Sequence, residues 1–216
     1  MNQPPPGWGH PQPPRKNKAP LIIGIIGGVL VLGGVVTALA FYLNANTEGG
    51  SEKRSDQLPA TCANISEAAL AKARTTNPNG LGSSEQELSN GKRTICSWNQ
   101  TKHTDGTGLR STDVYISSGQ EQAGNDFDRI VAQHMANAQG VPRQKPLNGL
   151  GDEAVAVLVE TKSAFTEISI IVRKGDTVVE VDYAGWDAGI FTHSKPNVVE
   201  FEAAARGMAE EMVARL

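Results

Sequence analysis

Four histidines, two cysteines and a scatter of carboxylates are the side chains of this 216-residue sequence that could ligate a metal, carry a proton or attack a substrate. Nucleophilic catalysis needs a Ser or Cys activated by a neighbouring base, and no Gly-x-Ser-x-Gly turn is present. His10 lies among prolines, while His103, His134 and His193 lack the short spacing that sets two metal ligands side by side. His134 falls on the apolar stripe of a predicted helix and is read as a packing residue. Asp126 and Asp128 fall in the first turn of that helix, where negative charge complements the dipole. Asp152 and Glu153 are a pair suited to calcium or hydrolysis, yet they lack the spacing of a calcium loop. The run 89–93, Ser-Asn-Gly-Lys-Arg, lacks the first glycine and the final hydroxyl of a phosphate loop. No catalytic, cofactor-binding or metal-ligating set is predicted.

Cys62 and Cys96 are the only cysteines, with no Cys-x-x-Cys or His-x-x-x-His near them, so they are expected to form a disulfide. Two loops are candidate ligand lips. Gly149-Leu150-Gly151-Asp152 enters a predicted strand, and the segment 184–191 places Trp186, Ile190 and Phe191 in a Gly-flanked stretch. Asp152, Trp186 and Phe191 are the residues singled out there; the competing expectation is that Trp186 and Phe191 fold back to plug one end of the core.

Hydrophobic periodicity supplies the elements that must position these groups. A short Ala-rich helix is expected over 66–74 with Ser66 as its cap, a second over 125–139, and a long amphipathic one over 197–216 capped by Asn197. Strands are expected over 93–100, 110–117, 153–159, 165–174 and 177–183, with 153–159 central. Gly175-Asp176 is a two-residue hairpin signal. It pairs Val172 with Val179, Ile170 with Val181 and Ile168 with Tyr183 on one face, and Ile171 with Glu180 and Ser169 with Asp182 on the other. The fold class expected is α+β: an antiparallel sheet of about five strands with helices mainly on one face, plus one N-terminal transmembrane helix.

That last element comes from the N-terminal quarter. Seven of the twelve prolines lie within residues 1–20, which are read as a disordered Pro-rich cytoplasmic tail. Residues 21–43 carry no charge and are long enough for a ~30 Å bilayer core as a helix. Arg15, Lys16 and Lys18 precede them, so the expected topology is single-pass in the cytoplasmic membrane with the N-terminus inside. Ala38-Leu39-Ala40 offers an alternative, secretion after cleavage near Ala40. Gly24 and Gly28 form a small-xxx-small pair that could bring two such helices together. Residues 44–56 are expected as a polar linker and 57–216 as an extracytoplasmic domain. That domain holds fifteen Lys and Arg against twenty Asp and Glu, net −5, which argues against a nucleic-acid partner.

A cysteine before a short Ala-rich helix (Cys62, then Ile65 to Leu70), the Cys96-Ser97-Trp98 strand, the Gly-Leu-Gly-Asp-Glu-Ala run at 149–154 and a hairpin strand with Val-Glu-Val together resemble a family of small exported actinobacterial domains of unknown function. Many of its members are lipoproteins, and it is similar to the extracytoplasmic sensor domains of bacterial receptor Ser/Thr kinases. The resemblance spans residues 58–215 and implies an envelope-facing α+β domain with a disulfide; it transfers no catalytic residue, and the family's lipobox is absent. The function expected is a membrane-anchored, non-enzymatic binding or sensor-like domain without cofactor, whose partners are the bilayer and an envelope ligand or membrane protein. The alternatives are a cell-envelope hydrolase using dispersed carboxylates and histidines, or a structural subunit of a membrane complex.

Overall fold

Eight strands pair antiparallel in one sheet: β1 (Asn77–Pro78), β2 (Ser84–Leu88), β3 (Gly91–Asn99), β4 (Leu109–Ser118), β5 (Gly140–Pro146), β6 (Glu153–Thr161), β7 (Thr166–Lys174) and β8 (Thr177–Trp186). The computed structural model describes residues 37, 39–46, 48–119, 123–137 and 139–216. The chain divides into two units, Met1–Ala40 and Phe41–Leu216, and the sheet with its helices belongs to the second. The strand order is β1-β3-β4-β8-β7-β6-β5, with β2 sharing the outer edge of β3. The five strands legible in the periodicity form the contiguous centre, β3-β4-β8-β7-β6, and the expectation of about five strands is corrected to eight. The three additional strands all lie at the sheet edges. β2 is exposed at every residue, β1 contains Pro78, and β5 contains Pro142 and Pro146, so none shows the alternation of a half-buried strand. β8, not β6, is the central strand.

The hairpin register is the expected one, with Ile168 opposite Tyr183, Ile170 opposite Val181 and Val172 opposite Val179. Gly175 takes φ +60° in the connecting turn. On the face these residues share, Cys96, Trp98, Val114 and Ile116 join the same core. Helix α1 (Glu67–Lys72) and helix α3 (Val198–Ala214) cover it, α3 through Phe201, Ala204, Ala205, Met208, Ala209, Met212 and Val213. Asn197 caps α3 by accepting from Val199 N and Glu200 N. Helix α2 (Ala123–Met135) lies on the opposite face, where Ala123 and Phe127 pack on Val157, Val159, Ile171 and Val178. Both faces of the sheet are therefore helix-covered, and α2 is the element that differs from the one-sided expectation.

Cys62, in a 3-10 turn over Ala60–Asn64, is bonded to Cys96 on β3, and both residues are buried. Ser66 caps α1: its hydroxyl accepts from Ala69 N at 3.1 Å and donates to Glu211 Oε1 at 2.9 Å, tying α1 to α3. Ser66→Ala is expected to cost about 1 kcal/mol, read as a lower urea midpoint with an unchanged slope.

Residues of the expected linker run along the sheet end. Ser51 N donates to Gln100 O, Lys102 N donates to Ser51 O, and Arg54 N donates to the Asn77 side chain.

The tail at 1–20 and most of the expected span, including Gly24 and Gly28, lie outside the described residues. Among the described residues no helix is long and apolar enough to cross a membrane. The longest, α3, has 17 residues and carries five charges, Glu200, Glu202, Arg206, Glu210 and Glu211, none of them among its buried residues. The single-pass anchor, the membrane and transmembrane assignments and the cytoplasmic-membrane localisation are corrected accordingly, while the alternative of release near Ala40 turns on a site whose Ala38 lies outside the described residues.

Candidate functional site

The α2 face of the sheet has an apolar half and a polar half. Over β6 and the tip of the hairpin, valines and Ile171 meet α2. Towards the middle of β7, β8 and β4 the same pleat presents Glu167 and Ser169, then Glu180 and Asp182, then Asp113 and Tyr115. The register places Ser169 beside Asp182, Asp182 beside Asp113, and Glu180 beside Tyr115. Four carboxylates thus share one sheet face, where like charges directly opposite one another are destabilising.

His134, in the last turn of α2, reaches down onto this acidic ribbon. Its Nε2 lies 2.5 Å from Glu180 Oε1 and 3.8 Å from Asp182 Oδ1. Its Nδ1 lies 3.1 Å from Ser169 Oγ and 4.0 Å from Glu167 Oε1. The side chain is 13% exposed, with Glu180 at 16% and Asp182 at 21%. Asp182 Oδ1 is buried and accepts no hydrogen bond. Beside the cluster opens a cavity of about 370 Å³, walled by Arg93 and Tyr115 on the sheet and by Arg129 and Gln133 on α2.

The surroundings move three titrations in one direction. Burial, reinforced by the Glu180 charge, pushes Asp182 up to about 7. Burial alone would lower His134, but the hydrogen bond to Glu180 and the charges of Asp182, Glu180 and Glu167 outweigh it and hold the imidazole above its ordinary value. Burial and the charge of Asp113 push Tyr115 up to about 12. The site is a cluster of anions short of positive charge. A protonated imidazole supplies part of that charge, and an incoming cation could supply the rest.

Ser169, His134 and Glu180 have the composition of a nucleophile, base and carboxylate relay. The geometry does not serve acyl transfer, because Ser169 is 1% exposed beneath α2 and no scissile bond can reach its Oγ. Its hydroxyl instead fixes the orientation of the imidazole.

The sequence-predicted lip residues are not brought together. Asp152 lies at the hairpin tip, accepting from Gly175 N at 2.7 Å and from Arg173 at 3.3 Å. Trp186 closes the far end of β8, ten residues and roughly 30 Å away. It is half-buried and stacks on His193 with ring centroids 3.6 Å apart, while Phe191 is 55% exposed. Next to Trp186, the buried Arg110 guanidinium donates to Asp187 and to Trp186 O, and Arg74 also donates to Asp187. Both guanidinium groups there are consumed by structure.

In the run 89–93, Ser89 and Asn90 form the turn of the β2–β3 hairpin and Gly91 begins β3 opposite Leu88. Asp126 sits in the first turn of α2 as expected. Periodicity places His134 on the sheet-facing stripe of α2, but its hydrogen-bond partners come from two strands, 35 and 46 residues away. The available signal is the mostly polar hairpin face carrying Glu180 and Asp182. A helix laid on that face must bring a polar side chain to it. No family model, no curated protein and no solved structure matches this chain, so nothing in those comparisons bears on the resemblance drawn from its motifs.

Proposed function

We propose that the described unit is a non-enzymatic binding or sensor-like domain that takes a small cationic ligand in the acidic recess on the α2 face. The observation that carries this reading is the gathering of Glu167, Glu180 and Asp182 around one imidazole, with Asp113 beside Asp182 on the next strand and a buried Asp182 oxygen that accepts no hydrogen bond. A fold gains nothing from concentrating anions on one half-buried face, because unpaired buried charge costs several kcal/mol. Such a cluster is retained where something positive is to be held. The inaccessible Ser169 hydroxyl and the absence of any free thiol among the described residues favour binding over covalent chemistry.

The test is a thermal-melt panel on the chelator-treated full chain with divalent metal chlorides, spermidine, choline and sodium phosphate. At least one cationic ligand is expected to raise Tm by several degrees, as RT ln(1 + [L]/Kd) requires once its concentration exceeds about 100 Kd. Glu180→Gln should abolish that rise. A panel in which no cation shifts Tm, or in which only the anion does, contradicts the reading.

Hydrolysis by the same residues is the second reading, favoured by one observation: His134 lies within hydrogen-bonding range of Glu180, as a water-activating pair would. Turnover of an ester or glycoside that is lost in His134→Gln with the fold intact would move the assignment to it.

A further inference from the structure

We propose that the recess is a divalent metal site with His134 Nε2, Glu180 and Asp182 as its protein ligands, taking a first-row ion of the zinc and manganese class. The proposal rests on the cationic reading above and names the cation.

The three donor atoms lie within 4.8 Å of one another. Around a tetrahedral ion with bonds of about 2.0–2.1 Å, neighbouring donors sit roughly 3.3 Å apart. The Nε2 to Asp182 distance of 3.8 Å and the Nε2 to Glu180 distance of 2.5 Å bracket that value. Bringing Nε2 to that spacing from both carboxylates therefore asks for side-chain adjustments of less than about an ångström. Glu180 and Asp182 alternate with Val181 on one strand, so both project from the same face of the rigid central strand. His134 comes from the packed end of α2.

Two independent features fit an ion rather than a packing role. A metal-bound histidine characteristically donates its other ring N–H to a fixed acceptor, which sets the tautomer. Ser169 Oγ stands 3.1 Å from Nδ1 in that place, with Glu167 behind it. The buried Asp182 Oδ1, which accepts no hydrogen bond, gains in a cation the partner it lacks. On binding, the ion replaces the proton between Nε2 and Glu180, and that proton passes to solvent.

The donor set selects the class. One imidazole and two carboxylates without thiolate suit Zn²⁺, Mn²⁺ or Fe²⁺, whereas Ca²⁺ and Mg²⁺ prefer all-oxygen sites with six or more ligands. Both cysteines are held in the disulfide and offer no competing thiolate. Three protein ligands leave coordination positions facing the cavity walled by Tyr115, Arg93 and Arg129.

The test is isothermal titration calorimetry of ZnCl₂ and, separately, MnCl₂ into the EDTA-treated and dialysed full chain at pH 7.5. One equivalent of at least one metal should bind. His134→Gln and Asp182→Asn should each weaken it by more than ~10-fold, the loss that even an outer-shell partner can bring. His103→Gln, which alters an exposed histidine near Glu48, should leave it unchanged. If His134→Gln does not fold by circular dichroism, the shift by Zn²⁺ or the broadening by Mn²⁺ of the His134 ring signals in the unaltered chain, with whichever metal binds, makes the same decision. No binding heat with either metal, binding lost in His103→Gln, or His134 signals unchanged by the metal that binds overturns the proposal. If spermidine or choline still shifts Tm through Glu180 while neither metal binds, the metal assignment fails and the cationic reading stands. If nothing binds, both fail.

Discussion

Replacing Cys62 and Cys96 together by alanine is expected to lower the stability of the domain by about 4 kcal/mol and its melting temperature by roughly 10 °C. The bridge closes a loop with a sequence separation of 34. The chain-entropy relation gives about 4 kcal/mol for constraining a loop of that length in the unfolded state. At ~2–4 °C per kcal/mol for a domain of this size, the melting shift follows. The native side adds to the loss. The bridge is buried in the same core as Trp98, and it holds the 3-10 turn against β3 just before Ser66 caps α1. Calorimetric melts of the oxidised chain and of the double variant measure this; a difference below about 2 °C would show that α1 and the turn are held without the bridge.

A second large effect runs against ordinary acid denaturation. Asp182 titrates at 3.8 when unfolded and at about 7 in the fold, so between those values the folded state holds a proton that the unfolded state has released. For such a group stability falls as pH rises through the window. His134 adds in the same sense: its folded pKa is raised, so its contribution is complete below 6.5 and is lost as pH rises through the folded value. The groups facing this pair are Glu167 and Ser169 from β7, Glu180 from β8, Asp113 and Tyr115 from β4, Arg93 from β3 and Arg129 from α2. They titrate as one system in which a proton on one lowers the demand for a proton on another. The Asp182 shift alone corresponds to roughly 4 kcal/mol, and sharing within the cluster reduces the observable part to about 2.

The chelator-treated protein is therefore expected to melt several degrees higher at pH 5.5 than at pH 8, and Asp182→Asn should be more stable than the parent at pH 8 while flattening the profile. Melts that fall steadily from pH 8 to 5.5 would contradict an anion-rich recess.

The centre of the fold was legible because its strands are amphipathic or wholly apolar. The register of the β7–β8 hairpin follows from Gly175-Asp176 and from the separation of Ile168, Ile170 and Val172 from Ser169 and Ile171. The edges were not legible. Ser84–Leu88 is polar at all but its last position, and Gly140–Pro146 spends two of its seven positions on proline, features that protect an edge and erase the strand signal.

The site was half legible. His134 was visible on a helical stripe, and Glu180 with Asp182 on a polar hairpin face, yet placing all helices mainly on one side kept them apart. Once α2 takes the other side, the polar face becomes the floor beneath His134. Asp152 and Trp186 stand out in the sequence through glycine-rich neighbours, but Gly149 and Gly151 serve the β5–β6 connection and Gly185 lies within β8 against Leu109, and the aspartate is satisfied by Gly175 and Arg173.

On the proposed reading, this domain takes its ligand at His134, between α2 and the acidic ribbon of β8. Long-range ¹H–¹⁵N spectra of the histidine rings in the full chain at pH 7.5, recorded before and after one equivalent of Zn²⁺ and then of spermidine, test it most directly. At least one of these cations is expected to move the ring signals of His134, with Nδ1 remaining protonated toward Ser169, and to leave His103 and His193 in place. Unmoved His134 signals in the presence of both cations would contradict it.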